Sequence, residues 1–265
     1  MTDYQYLTLT RTGRVLTVSF DSGTPVNSLS NALMRELTRL AIDLQQDSQL
    51  NAIVLTGRGD TFSAGMDLKD PENAAAANVS IAEQRTLLKI GPTLCQAWEA
   101  LDPVTIVAIE GWCIGGGAAL AAACDWRVMA GDAHFYVPEL KLGMNMSWQS
   151  VPRFVNLIGP ARTKQLLILA EPQTASVCAD WGLADHISAP GQALAAAQAL
   201  AEKVAAMPPI PVRMAKRAIT TSATALNQAV SFMDADQFLT TSSTEDALEG
   251  ALAFFEKRPG EFTGN

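Results

Sequence analysis

Residues 104–127, VTIVAIEGWCIGGGAALAAACDWR, constrain this chain more than any other stretch. Val104 to Ile109 is a β-branched apolar run suited to a strand buried on both faces. Gly111 interrupts it, Gly115, Gly116 and Gly117 follow, and Ala118 to Ala123 is an alanine-rich run of high helix propensity. The pattern is strand, turn, three glycines, buried helix. Two readings of the glycines stay open. They leave backbone N–H groups without intrahelical partners at the positive end of the helix dipole, a setting that favours a negative oxygen. Equally, they permit a helix to pack tightly on a sheet.

Around this stretch the chain alternates. Tyr4–Thr10 and Val15–Phe20 read as strands joined at Thr12-Gly13, and Ser22–Asn27 reads as a loop. Ser30 is placed to cap a helix carrying Leu33, Leu37, Leu40, Ala41 and Leu44 at helical spacing. Ala52–Thr56 reads as a buried strand. Pro71–Asn78, alanine-rich without an apolar face, predicts a mobile loop, and Ser80–Ala100 a long helix that Pro92 kinks or divides. Short strands are predicted at Trp126–Ala130, His134–Val137 and Leu183–Ile187. Helices are predicted at Val151–Ile158, from Pro160 to before Pro172, and at Thr174–Trp181. From Gln192 the chain reads as helix throughout: Gln192–Met207, Pro211–Ser222, Ala225–Thr241 and Thr244–Lys257. With no repeat and no low-complexity linker, this is one α/β core, residues 1–190, with a helical C-terminal extension, residues 191–265.

Composition excludes several function classes. Nineteen basic against 27 acidic residues, a net charge of −8, argue against general nucleic-acid binding. An anionic ligand would have to be met by local cations. Cys95, Cys113, Cys124 and Cys178 show no C-x-x-C pairing and read as reduced thiols. No signal pattern and no apolar run of membrane-spanning length is present, so a soluble cytoplasmic protein without membrane partners is expected. His134 and His186 have no partner pattern for a metal. Ser147 has no triad spacing, no G-x-G-x-x-G follows a strand, and no phosphate-binding loop appears.

Several motifs in order resemble the crotonase superfamily, the enoyl-CoA hydratases and isomerases. Phe62-Ser63-Ala64-Gly65-Met66-Asp67-Leu68-Lys69 is similar to the family's first signature. Gly111 with Gly115-Gly116-Gly117 and Cys124-Asp125 is similar to the second. Pro138-Glu139 with Gly143, then Gly182-Leu183-Ala184-Asp185, continue in register. Glu245-Asp246, Glu249-Gly250 and Phe254 to Arg258 match the closing helix. The resemblance covers nearly the whole chain. It implies a crotonase-like spiral of β-β-α turns, whose C-terminal helices mediate trimers or dimers of trimers. It also implies an acyl-CoA thioester as substrate, no permanently bound cofactor, and an oxyanion hole of two backbone N–H groups, by position those of Met66 and Gly116. Reaction beside a thioester carbonyl pushes charge onto its oxygen, and two preset donors stabilise that enolate by roughly 3–4 kcal/mol each.

Proton transfer is the second requirement. Hydratases of the family carry two glutamates; one position is Ala119 here and the other matches Glu139. A carboxyl beside an apolar pocket has its pKa raised towards that of a proton shuttle; the alternative for Glu139 is a loop-edge surface carboxylate. One carboxylate suffices to move a proton from C2 to C4, so isomerisation ranks ahead of hydration. A non-catalytic acyl-CoA-binding protein is the alternative of another class. Met144, Ser147 and Trp148 lie where the family has a glycine–proline–glycine loop. The methionines and Trp148 offer apolar walls, while Asn145 and Ser147 offer hydrogen bonds to substrate or water. Ala64, Gly65, Leu68 and Gly115 complete the expected binding stretches. Lys69, Lys257 and Arg258 are the expected cations, and the resemblance brings Phe254 and Lys257 to a neighbouring subunit's nucleotide. Asp67 is expected to orient its loop, and Glu110 to make a structural hydrogen bond to the adjacent turn or to serve as a second carboxylate.

Overall fold

The computed structural model describes residues 4–75 and 78–265. Its main sheet has six strands: β1 (Leu7–Thr12), β2 (Val15–Phe20), β3 (Ala52–Thr56), β4 (Val104–Ile109), β6 (Trp126–Ala130) and β9 (His186–Ser188), in that spatial order. Only the β1–β2 hairpin is antiparallel. A smaller sheet joins β5 (Trp112–Ile114), β7 (His134–Tyr136) and β8 (Gln173–Thr174). The chain visits the two sheets in alternation. β4 leads to β5 and then to α5 (Gly116–Ala122); β6 leads to β7. Ser63 bridges to Cys113 in the same way after β3. Each turn of this β-β-α spiral lays one strand in the large sheet and one at the edge where the glycine-rich stretches meet.

The buried runs explain the sheet. All residues of β3 and β4 are buried, as a parallel strand covered on both faces requires. One face is covered by α8 (Ala193–Ala205), whose Ala193, Ala197, Ala201 and Val204 join the core. So α8, beyond residue 190, packs on the sheet itself. Elsewhere α1 (Asn31–Leu44) packs against α4 (Ile90–Glu99). Ser30 Oγ accepts from Leu33 N at the start of α1, as its position predicts.

Several stretches refine or differ from the sequence expectations. Pro71–Ala75 is a helix, α2, because Asp70 Oδ1 accepts from Glu72 N and Pro71 is tolerated in a first turn; residues 76 and 77 of the predicted loop lie outside the described residues. The 80–100 helix is divided, one of the two outcomes expected of Pro92, into α3 (Ile81–Leu87) and α4, with Pro92 in the first turn of α4. The 225–241 helix is also two, α10 (Asn227–Ser231) and α11 (Asp234–Ser242). Strand β9 starts later than expected because the N–H groups of Leu183 and Ala184 close α7 (Ala175–Trp181) onto Cys178 O.

The remaining helices are α6 (Ser150–Lys164), broken at Gly159 before Pro160, α9 (Pro209–Thr224) and α12 (Glu245–Glu256). No helix among the described residues is long and apolar enough to cross a membrane, and no metal-holding cluster of His, Cys, Asp and Glu occurs among them.

Candidate active site

The motif after β3 is held by a residue the sequence left in a loop. Asn27, fully buried at φ 50°, donates from Nδ2 to Phe62 O (2.8 Å) and accepts at Oδ1 from Ser22 N (2.9 Å). Ser63 Oγ donates to Asn27 O (2.8 Å), and Gly65 N donates to Ser63 Oγ (3.1 Å). Leu29 N donates to Gly65 O and Asp67 N to Leu29 O, so the backbone on either side of Met66 is fixed. Met66 N itself donates to no acceptor among the described residues. Asp67 Oδ1 accepts from Lys69 N (3.0 Å), an internal turn of the loop.

The glycine stretch meets this motif at van der Waals limits. Gly65 stands at φ 84°, and a Cβ there would lie 2.7 Å from Ile114 O and 3.0 Å from Gly116 N. Covalent geometry therefore keeps Met66 N within about 7 Å of Gly116 N, a spacing from which two N–H groups can converge on one small group. Gly116 N, at the first position of α5, also has no acceptor among the described residues. The glycines pack closely, and the packing leaves these amides bare.

Glu139 opens a single 3-10 turn, residues Glu139–Leu142, after β7. A Cβ on Gly115 would lie 2.6 Å from its Oε1, so only glycine lets the carboxyl approach the start of α5. Glu139 is half-buried as a residue, yet its Oε2 is shut off from solvent with no partner among the described residues. Desolvation raises its pKa from 4.5 to about 7. Burial also raises the pKa of the neighbouring Tyr136 phenol, and the Glu139 charge adds to it.

These groups line one cavity of about 820 Å³ with mostly apolar walls. Of the site residues named from the sequence, Glu110, Asn145, Lys257 and Arg258 do not line it and the others do; Lys257 ends α12 in a left-handed conformation, and Phe254 and Phe255 of that helix line the cavity. α12 seats on the Glu139 turn through two glycines: a Cβ on Gly250 would lie 2.5 Å from Leu142 C, and one on Gly143 would lie 2.4 Å from Asp246 O. Asn145 and Ser147 are engaged within the chain. Thr241 Oγ1 donates to Asn145 Oδ1 (2.7 Å), and Ser147 Oγ donates to Asp234 Oδ2 (2.7 Å). Glu110 lies outside the site: its carboxylate accepts from Gly191 N and Ala193 N, capping α8 rather than its own turn. Ala119 is buried.

Sequence reasoning missed Asn27, Asp234 and Arg127. Arg127 is buried and ties the second signature to Gly182–Asp185, donating to Leu183 O (2.8 Å), Cys124 O (2.9 Å) and Asp185 Oδ2 (2.7 Å). The acidic residues at 234 and 236 are a helix-start signal that would have divided α10 from α11.

Similarity to known proteins agrees with this architecture. The family model for enoyl-CoA hydratase/isomerase matches residues 10–265. A probable enoyl-CoA hydratase of Mycobacterium tuberculosis is 34% identical over 97% of this chain and 98% of its own. The short-chain-enoyl-CoA hydratase of Clostridium acetobutylicum is 28% identical, covering 94% of each. Among solved structures, an enoyl-CoA hydratase of Bacillus anthracis matches at TM-score 0.77 and 30% identity, over 98% of this chain and 100% of that one. One from Mycobacterium avium subsp. paratuberculosis matches at TM-score 0.86 and 20% identity, over 98% and 100%, and speaks for the fold alone. The chain belongs to the enoyl-CoA hydratase/isomerase family of the crotonase superfamily, and is an enzyme of that class, hydratase or isomerase.

Proposed function

We propose that the enzyme shifts the double bond of an enoyl-CoA. The thioester oxygen accepts from Met66 N–H and Gly116 N–H, which stabilise the enolate formed when a proton leaves the acyl chain. Glu139 takes that proton and returns it two carbons along, on the same face. The observation that carries this reading is the Glu139 carboxyl lodged against Gly115 beside the bare amides, its Oε2 without a partner among the described residues and its pKa pushed by burial to about 7. Such a group is half-protonated at neutral pH and serves as base and then acid.

Hydration is the second reading, favoured by the names of the relatives, which include a crotonyl-CoA hydratase of Syntrophomonas wolfei. Against it stands Ala119, where a second carboxylate would help hold the water. Incubation with 3-enoyl-CoA and 2-enoyl-CoA separately decides between them. Isomerisation interconverts the two without a 3-hydroxyacyl product, whereas rapid appearance of that product refutes the isomerase reading. Glu139→Gln, with ligand binding kept and turnover lost, is expected under either; unchanged turnover removes Glu139 from the chemistry.

The cations proposed for the nucleotide are Lys69, which lines the cavity, and Lys257, reaching a neighbouring subunit. Ile210, Met214, Ile219, Leu226 and Phe232 leave an exposed apolar surface on the C-terminal helices, which supports a homotrimer or dimer of trimers. Light scattering tests that assembly. Four buried free thiols suit a reducing compartment such as the cytoplasm.

A further inference from the structure

Trp148 is held in the cavity by an arrangement that costs backbone strain. Trp148 and Gln149 both lie in the left-handed region, at φ 62° and 54°, a conformation unfavourable for side chains of this kind. Buried groups grip the pair from both ends. Asp234 Oδ2 accepts from Gln149 N (3.2 Å) and from Ser147 Oγ. Arg153 Nη1 donates to Trp148 O and Gln149 O, both 3.0 Å, and the Arg153 guanidinium is itself held by the Glu99 carboxylate at 2.8 and 2.9 Å.

The turn so fixed places the indole between two helices that each carry glycine where it passes. A Cβ on Gly91 of α4 would lie 2.2 Å from Trp148 Cε2. One on Gly116 of α5 would lie 2.5 Å from Trp148 Cη2. The benzo ring therefore rests on the residue whose amide is proposed to hold the thioester oxygen. Helical side chains lean towards the N-terminus, so residue 119 covers the surface one turn back, on the face of Gly116. Alanine there leaves the indole its room, and a glutamate would compete for it.

We propose that Trp148 is the specificity-determining wall of the acyl site, limiting the acyl group to a short chain, and that Asp234 and Arg153 are positioning residues that keep the indole in place. This rests on the acyl-CoA reading of the site. An acyl group whose carbonyl oxygen sits at Gly116 N–H must run alongside the indole, and a longer chain meets it.

The test is the affinity of wild type, W148A, W148F and D234N for saturated straight-chain acyl-CoAs from acetyl to dodecanoyl, by calorimetry. These thioesters bind whichever reaction is catalysed. Each buried methylene strengthens binding about fourfold until the chain is obstructed. Wild type is expected to gain over the first carbons and then level or fall. In W148A the gain continues for roughly four to six further carbons, the scale of a ring-sized void; W148F shifts less in the same direction. D234N is expected to move the length profile towards that of W148A, with no further shift when D234N is added to W148A, as coupled residues behave. A purely structural role for Asp234 would lower thermal stability and leave the profile in place. Identical profiles for wild type, W148F and W148A overturn the proposal. Failure of wild type to bind any acyl-CoA overturns the acyl-CoA reading beneath it instead.

Discussion

A Glu139→Gln variant is expected to be more stable than wild type at alkaline pH and equally stable at acid pH. The reason lies in the burial of the carboxyl. Unfolded, Glu139 loses its proton near its ordinary value of 4.5; folded, desolvation holds the proton until about pH 7. Between those values the folded state binds more protons than the unfolded state, so stability falls as pH rises. At about 1.4 kcal/mol per pH unit, the interval amounts to a penalty of about 3 kcal/mol, absent below pH 4.5 and complete above pH 7. Glutamine is neutral throughout and of the same shape, so it escapes the penalty. Asp234, whose pKa is also raised, first by burial, adds a dependence of the same sign, but it is common to both proteins and cancels in the difference. Urea denaturation at fixed protein concentration, at half-unit steps from pH 4.5 to 8, yields that difference. A gap between variant and wild type that opens to about 3 kcal/mol by pH 8 is the expected outcome. A gap that stays constant across the range would show that the carboxyl meets solvent in the folded enzyme, and the proton-shuttle reading would lose its physical basis.

Other consequences are as specific. If Glu139 acts first as a base, kcat/KM rises with pH and levels above about 7; a midpoint near 4.5 contradicts the burial argument. Gly65→Ala puts a methyl 2.7 Å from Ile114 O at φ 84°. It is expected to cost roughly 1–3 kcal/mol and, by displacing the amides, to lower kcat on the order of 10²-fold, read by melting and steady-state rates. Arg127→Met leaves the carbonyls of Leu183 and Cys124 without their guanidinium donor and Asp185 Oδ2 with only the backbone N–H of residue 127, and a loss of about 3 kcal/mol in urea denaturation is expected. Gly250→Val drives a side chain into Leu142 and Gly143. Faster hydrogen exchange over residues 245–256 and weaker acyl-CoA binding are the expected readouts, since Phe254 and Phe255 line the cavity.

The core was legible in sequence where one physical rule dominates. Ala52–Thr56 and Val104–Ile109 are apolar runs without competing signals, and both are strands with the bounds expected. The glycines at 115–117 announced a close approach, and the approach is there, to Glu139, Trp148 and Ser63. The failures share a cause: they depend on a partner far away in the chain. Nothing local marks Asn27 as a buried left-handed residue bonded to Phe62, or Trp148 as one clamped by Asp234, 86 positions later. Leu183–Asp185 has the composition of a strand, but tertiary hydrogen bonds to Cys178 and Arg127 claim its backbone and its carboxylate first. Lys257 lies on the closing helix, as its position indicated. Within one chain, though, the left-handed end of α12 leaves it off the cavity wall.

The treatment of buried acids separates scaffold from chemistry. Asp70, Glu110 and Asp234 are buried, and each accepts backbone N–H groups: Asn31 and Glu72 for the first, Gly191 and Ala193 for the second, Gln149 for the third. The fold can evidently supply donors to a carboxylate wherever two elements need tying, and each of these three ties a loop or a helix start to a distant segment. Glu139 sits beside the start of α5, where bare N–H groups are at hand, and its Oε2 receives none. A donor there would pull the pKa back down and leave the group a permanent anion at neutral pH, useless for returning a proton. Withholding the donor keeps the carboxyl able to exchange its proton at the cost of stability above pH 7. That cost is one a scaffold carboxylate has no reason to bear. The amides of Met66 and Gly116 are bare too: Met66 N lies between residues fixed by hydrogen bonds, and Gly116 N follows Gly115, whose N–H is held by Tyr136 O, in the first turn of α5, where N–H groups have no intrahelical acceptor. An acid with an unpaired buried oxygen and two bare donors, gathered at one mostly apolar cavity, are what an enolate would need.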